Sequence, residues 1–190
     1  MRSFAAGLAL SCFAALQASA QQAVKERLPT CLACHGENGQ SQIEGVPSLG
    51  AQQAFYVTVQ LLMFREKMRV ADPMNDMAKG LSDTDLQGFA EIISQLPAPK
   101  PAAGPVDDAR MARAQVLVQQ NRCNFCHTPN FAGQQNVPRI AAQREDYLVN
   151  ALRGYKDSSR HGYDDSMAEV MAPIADPQIL DLAYYIARVK

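Results

Sequence analysis

Cys31-Leu32-Ala33-Cys34-His35 and Cys123-Asn124-Phe125-Cys126-His127 are two copies of one five-residue frame, 92 positions apart (123 − 31), and they decide the fold. In Cys-x-x-Cys-His, two thiols three positions apart can each add to one vinyl group of a porphyrin, and the adjacent imidazole faces the iron. The frame reads as an attachment site for a c-type haem, so two copies imply two covalently bound haem c groups. A single Cys₄ zinc site fits poorly. The pairs stand 89 residues apart (123 − 34), and each is followed by a histidine that such a site does not need. A thioredoxin-like redox pair expects a βαβ context, and no β-branched or alternating strand pattern lies nearby.

The fifth cysteine, Cys12, falls in a leader. Arg2 precedes an apolar run from Phe4 to Leu16, and Ala18-Ser19-Ala20 forms a small-residue cleavage pattern before Gln21. Residues 1–20 are expected to be a signal peptide that is removed. Ser11-Cys12 offers a rival lipoprotein site, but Ala9 replaces the usual bulky aliphatic residue and the apolar run continues past Cys12. Export places the chain where c-type attachment happens, outside the bacterial cytoplasm, so the expected location is the periplasm. The mature chain holds 170 residues (190 − 20) with a charge of −2 (17 − 19). With 47% apolar and 19% charged residues, it is neither a disordered polyelectrolyte nor a basic nucleic-acid binder. No later stretch approaches the roughly 18–20 apolar residues of a membrane span. Peripheral association with membrane complexes stays open, and the mild acidity favours a basic docking face on a redox protein partner.

Pro97, Pro99, Pro101 and Pro105, with Ala102, Ala103 and Gly104 among them, cannot continue a helix and favour an extended spacer. Residues 97–106 therefore read as a linker between a first domain (21–96) and a second (107–190). Each half is small enough for an apolar core alone to be marginal, so a haem is expected at the centre of each. The halves repeat one another. Pro47, Gln52, Tyr56, Leu61, Phe64 and Arg69 map onto Pro138, Gln143, Tyr147, Leu152, Tyr155 and Arg160 at an offset of 91. Met74, Leu86 and Ile93 map onto Met167, Ile179 and Ile186 at 93. So small a drift argues for duplication of one domain.

The pattern predicts an all-α fold, three to four helices wrapped around each haem. Residues 23–32 and 108–122 lead into the motifs, and residues 52–68 and 144–156 carry apolar positions at helical spacing. Ser82 with Asp83 and Asp85 opens a helix whose stripe is Leu86, Phe89, Ile92, Ile93 and Leu96. Asp176-Pro177 opens the last one, as N-cap and first-turn proline, with Leu180, Leu182, Ala183 and Ile186 facing inward.

His35 and His127 supply one axial ligand to each iron. Only His161 remains as a further histidine, so the first haem cannot have two. Methionine is the expected sixth ligand, a soft thioether that favours reduced iron. Met63, Met68, Met74 and Met77 compete in the first half, Met167 and Met171 in the second. Only the pair Met74/Met167 is methionine in both halves, at similar distances from the histidines, 39 and 40 residues (74 − 35, 167 − 127). The other four read as packing, and His161 is the alternative at the second haem. Each ligand histidine must hand its second ring nitrogen to an acceptor. The Pro47 and Pro138 carbonyls are candidates, with an ordinary turn proline as the equal alternative. Arg69, Arg160, Tyr56 and Tyr147 could bond haem propionates, or be solvated and core residues respectively.

Cys-Leu-Ala-Cys-His-Gly (31–36), Pro-Ser-Leu-Gly-Ala-Gln (47–52) and the segment from Met74 to Asp83 resemble the soluble di-haem class I cytochromes c of the cytochrome c4 type. The second half matches through residues 123–127, 138–143 and Met167, so the likeness spans about residues 23–190. The resemblance implies two tandem cytochrome c folds, His/Met ligation at both irons, and periplasmic one-electron transfer to partners such as terminal oxidases. It also favours Pro47 and Pro138 as the histidine acceptors. Thr128 departs from the glycine usual after the haem histidine, and Ile174-Ala175 from Leu-Ser before the last helix.

An electron shuttle is the expected function. With both axial positions filled there is no site for substrate, so no catalytic residue is assigned. A fixed electron-transfer subunit of a dehydrogenase or oxidase complex is the second reading. A haem enzyme of the thiosulfate dehydrogenase or peroxidase type is the third, and it needs a vacant or unusual axial position at one iron.

Overall fold

The computed structural model describes residues 22 and 24–190, so the expected leader 1–20, with Cys12, lies outside the described residues. The first unit holds α1 (residues 24–35), α2 (Ala54–Arg65), α3 (Met74–Ala78) and α4 (Asp83–Gln95). The second holds α5 (Asp108–Gln120), α6 (Cys123–Cys126), α7 (Glu145–Lys156), α8 (Ser166–Met171) and α9 (Asp176–Ile186). Among the described residues there is no sheet, only an isolated bridge between Gln134 and Val137. The fold is all-α, two tandem helical units.

Helix starts follow from local chemistry. Ser82 Oγ accepts from Asp85 N at 3.2 Å and Asp85 Oδ2 accepts from Ser82 N at 2.8 Å, a reciprocal cap at the head of α4. Leu86, Phe89, Ala90 and Ile93 then bury one face of α4 against Val57 and Phe64 of α2 and Val24 of α1. Full burial of a side chain such as Leu86 is worth about 2 kcal/mol. In the second unit Ile179, Leu182 and Ala183 of α9 do the same against α5 and α7. Arg110 and Arg113 of α5 both bind Asp181 of α9, at 3.1 and 2.6 Å.

Three local expectations are corrected. The helix foreseen over 108–122 stops at Gln120, because Arg122 takes a left-handed backbone (φ 53°) that turns the chain into α6. The N-cap of α9 is Ala175 rather than Asp176, and Gln178 Oε1 accepts from its N–H at 2.8 Å. Leu180 is 41% exposed, and Ile179, fully buried, takes the core place expected of it.

The segment 97–106 is tied down along its length. Ala102 N donates to Ala187 O at 2.8 Å, Gln40 Nε2 to Lys100 O at 3.3 Å, and Pro99 is buried. The units also meet directly, in a reciprocal pattern. Gln52 Oε1 accepts from Arg139 N at 2.7 Å and its Nε2 donates to Arg139 O at 3.0 Å. Gln143 Oε1 accepts from Ser48 N at 2.7 Å and its Nε2 donates to Ser48 O at 2.9 Å. Gln52/Gln143 and Ser48/Arg139 are both pairs at offset 91, so each unit grips the same backbone position of the other. Both glutamines are buried, so the Gln143–Ser48 bonds lie out of reach of competing water and the Gln52–Arg139 bonds are partly shielded from it.

Candidate haem sites

In the first unit α1 runs unbroken through the motif, so Cys31, Cys34 and His35 share its last turn. In the second, the turn at Arg122 starts a fresh helical turn that carries Cys123 and Cys126, with His127 at its end. All four thiols are free of disulfides; Cys31 and Cys123 are partly buried, Cys34 and Cys126 exposed. Burial pushes the free Cys31 and Cys123 thiols up from their ordinary value.

His35 and His127 are buried alike. His35 Nδ1 donates to Pro47 O at 2.8 Å and His127 Nδ1 to Pro138 O at 2.9 Å. Burial draws both imidazoles below the usual value, outweighing the carbonyl that favours the charged ring. A neutral ring with its Nδ1 proton engaged leaves Nε2 as a lone-pair donor, the state a metal requires. Loop closure brings the prolines there. Gly39 O accepts from Leu49 N and Gly50 N at 2.7 and 2.9 Å, and Phe131 O from Ile140 N and Ala141 N at 2.9 and 3.1 Å.

His35 lines a cavity together with Cys31, Leu49, Leu61, Met74, Met77, Leu81 and Phe89. Met167 is half-buried and packs against the second core, as does Cys123. Met63 and Met171 are buried, Met171 within the second apolar core and Met63 with its Sδ accepting from Gln60 Nε2 at 3.7 Å. Met68 and Met77 are not: they are 60% and 36% exposed. His161 is exposed, in the loop before α8.

Where the units meet, Arg69, Arg160, Tyr56, Tyr147 and Tyr155 converge. Arg160 Nη2 reaches Tyr56 Oη at 3.5 Å, Arg69 donates to Gln60 Oε1, and the two guanidiniums lie over the Phe64 and Tyr155 rings at 4.5 and 5.0 Å. Among the described residues no carboxylate pairs with either arginine, and Arg160 Nε is buried without a hydrogen-bond partner. Burial acts to raise the Tyr147 phenol, yet the Arg160 and Arg69 charges overcome it and draw it below its usual value. Two half-buried cations without a carboxylate partner, Arg160 with an orphaned Nε donor, suit the carboxylates of a porphyrin, so the residues present fit the group.

Two features escaped sequence reading. The glutamine grip was visible only as a repeated residue type. Asn75 locks the methionine loop of the first unit: its Nδ2 donates to Phe64 O and Arg69 O, both at 2.8 Å, and its Oδ1 accepts from Ala71 N at 2.7 Å. Its counterpart at offset 93 is Ala168, so the repeat gave no signal.

Tandem helical units, each ending a helical turn in Cys-x-x-Cys-His over a buried, proline-anchored imidazole, define a c-type cytochrome of two haems. The cytochrome c family model matches residues 111–190. Cytochrome c4 of Thiocapsa roseopersicina is 27% identical over 82% of this chain and 85% of its own length. A thiosulfate dehydrogenase electron acceptor of Thiomonas intermedia is 29% identical, over 83% and 77%. The crystal structure of reduced recombinant cytochrome c4 from Pseudomonas stutzeri superposes with a TM-score of 0.81 at 25% identity, covering 89% of this chain and 98% of that one. The chain belongs to the di-haem cytochrome c4-type family. It carries two covalently bound haem c groups and is an electron carrier. Among the described residues, no helix is long and apolar enough to cross a membrane.

Proposed function

We propose that the protein shuttles single electrons between respiratory partners in the periplasm, after loss of residues 1–20, using domains at 21–96 and 107–190 joined by 97–106. In this reading Cys31 and Cys34 hold one haem and Cys123 and Cys126 the other. The axial pairs are His35 with Met74 and His127 with Met167. Pro47 and Pro138 orient the imidazoles, and Arg69 and Arg160 neutralise propionates. A haem so held supplies a one-electron iron couple. The chain's own part is to fill both axial positions, exclude water and outside ligands, and keep the two sites in fixed register through Gln52 and Gln143. The observation that carries the reading is the pair of buried imidazoles, each with Nδ1 tied to a proline carbonyl and Nε2 left free.

The name of the Thiomonas intermedia relative favours a more specific version, in which the donor is a thiosulfate dehydrogenase. Carbon monoxide tests the closed coordination sphere. The ferrous protein is expected to leave both irons unliganded by it over minutes. Fast binding at one iron would replace the shuttle with the enzyme reading.

A further inference from the structure

The first haem cavity contains one thioether more than its iron needs. Met74 and Met77 both line it, together with His35 and Cys31, and stand three residues apart on the five-residue α3. Residues at i and i+3 share a helix face with Cβ atoms about 5–6 Å apart. The methionine side chain, with three rotatable bonds, adapts to such an offset. Met77 is no core filler, being 36% exposed. Nor does it anchor α3: Asn75 does that, through its three hydrogen bonds to the backbone at positions 64, 69 and 71.

The second unit lacks this arrangement. The counterpart of Met77 at offset 93 is Val170, which has no donor atom. Met171, the other methionine on α8, is 2% exposed and packed into the apolar core that includes Leu117, Phe131 and Ile179. Drawing it out would open a hole in that core, whereas Met77 can turn inward and bury more of itself.

We propose that Met77 is a reserve axial ligand of the first iron, taking over when the Met74 thioether is lost. The exchange breaks one iron–sulfur bond and makes another, with no change in oxidation state and no proton moved. The first haem then stays low-spin and closed to outside molecules under damage that opens the second. This rests on His/Met ligation of both irons.

The test uses the full-length holoprotein and the weak far-red band of ferric iron bound to a thioether, with carbon monoxide binding to the ferrous form as second readout. The wild type must first show the band for both irons; its absence would sink the His/Met reading itself, independently of Met77. Met74→Ala is expected to keep the full band and exclude carbon monoxide. Met167→Ala, and the double variant Met74→Ala/Met77→Ala, each lose about half the band and bind the gas at one iron. If Met74→Ala loses half the band, the proposal is overturned, whether the iron becomes high-spin or stays low-spin through a nitrogen ligand. Met74→Leu is the second variant. If neither replacement at position 74 loads the first haem while Met167→Leu loads the second, the proposal is overturned as well, since a thioether within reach would support assembly.

Discussion

The loops that follow the two haem histidines take the same path with different residues. Gly36 and Thr128 correspond at offset 92 and both have positive φ, 86° and 69°; Gly39 and Phe131 correspond likewise, at 71° and 54°. The first loop meets this geometry with glycine, which has no Cβ to strain. The second forces a β-branched and an aromatic residue into it, at a cost of roughly 1–2 kcal/mol each. The return is visible. Phe131 is buried and sets its ring edge-on to Tyr185 at 6.2 Å, and Thr128 Oγ1 donates to Asn130 Oδ1 at 2.8 Å. A backbone path set by the need to bring a proline carbonyl to an imidazole has survived the change of residues. The second copy offsets local strain with core packing.

The largest effect is expected where the two copies grip one another. Gln52→Ala with Gln143→Ala removes the four hydrogen bonds that join the units, two of them buried and two partly buried, roughly 4 kcal/mol in all. Calorimetry of the holoprotein should then resolve two unfolding transitions in place of one. Next, Phe131→Gly relieves the left-handed strain but empties an aromatic site in the core, with a net loss of about 3 kcal/mol by denaturant unfolding. If it proves neutral, packing does not offset the strain in the second loop. Gly36→Ala is expected to cost about 2 kcal/mol, because the new Cβ would sit 2.1 Å from the Gln40 carbonyl oxygen. The mirror change, Thr128→Gly, should have the opposite sign, a gain of about 0.5 kcal/mol. Equal signs for these two would mean that the loops are not equivalent.

How far the sequence could be read follows the same division. The Cys-x-x-Cys-His frames, the 91–93 offset and the apolar stripe of α4 announced helical units around covalent haems, because thiol spacing and helical period are written locally. What stayed hidden depends on conformation or on distant pairing. Nothing in Phe131 advertises a positive φ, and Thr128 hints at one only by standing where glycine is usual. Ala175 gave no sign of capping α9, since the bond is made by Gln178 reaching back. The grip of Gln143 on Ser48 spans 95 residues, which no periodicity reports. Met77 read as packing because its counterpart at offset 93 is Val170, and the repeat cannot report a side chain that lines the cavity of one unit only.

The smallest contrast concerns acid. Hydrogen bonds from Arg113 and then Arg110 hold the Asp181 carboxyl below its usual value. Its contribution is therefore complete above the ordinary carboxylate pKa of about 4 and lost as pH falls through the lower folded value. The α5–α9 contact of the second unit should loosen slightly in that window. Asp181→Asn should remove this part of the pH dependence, as read by the acid limb of unfolding.

A spectroelectrochemical titration of the purified wild-type protein tests the central claim most directly. Two irons per polypeptide, each reduced in a one-electron step between low-spin forms, with the thioether band fading in proportion as both become ferrous, is the predicted result. A colourless polypeptide, a single iron, or a high-spin resting centre would contradict it.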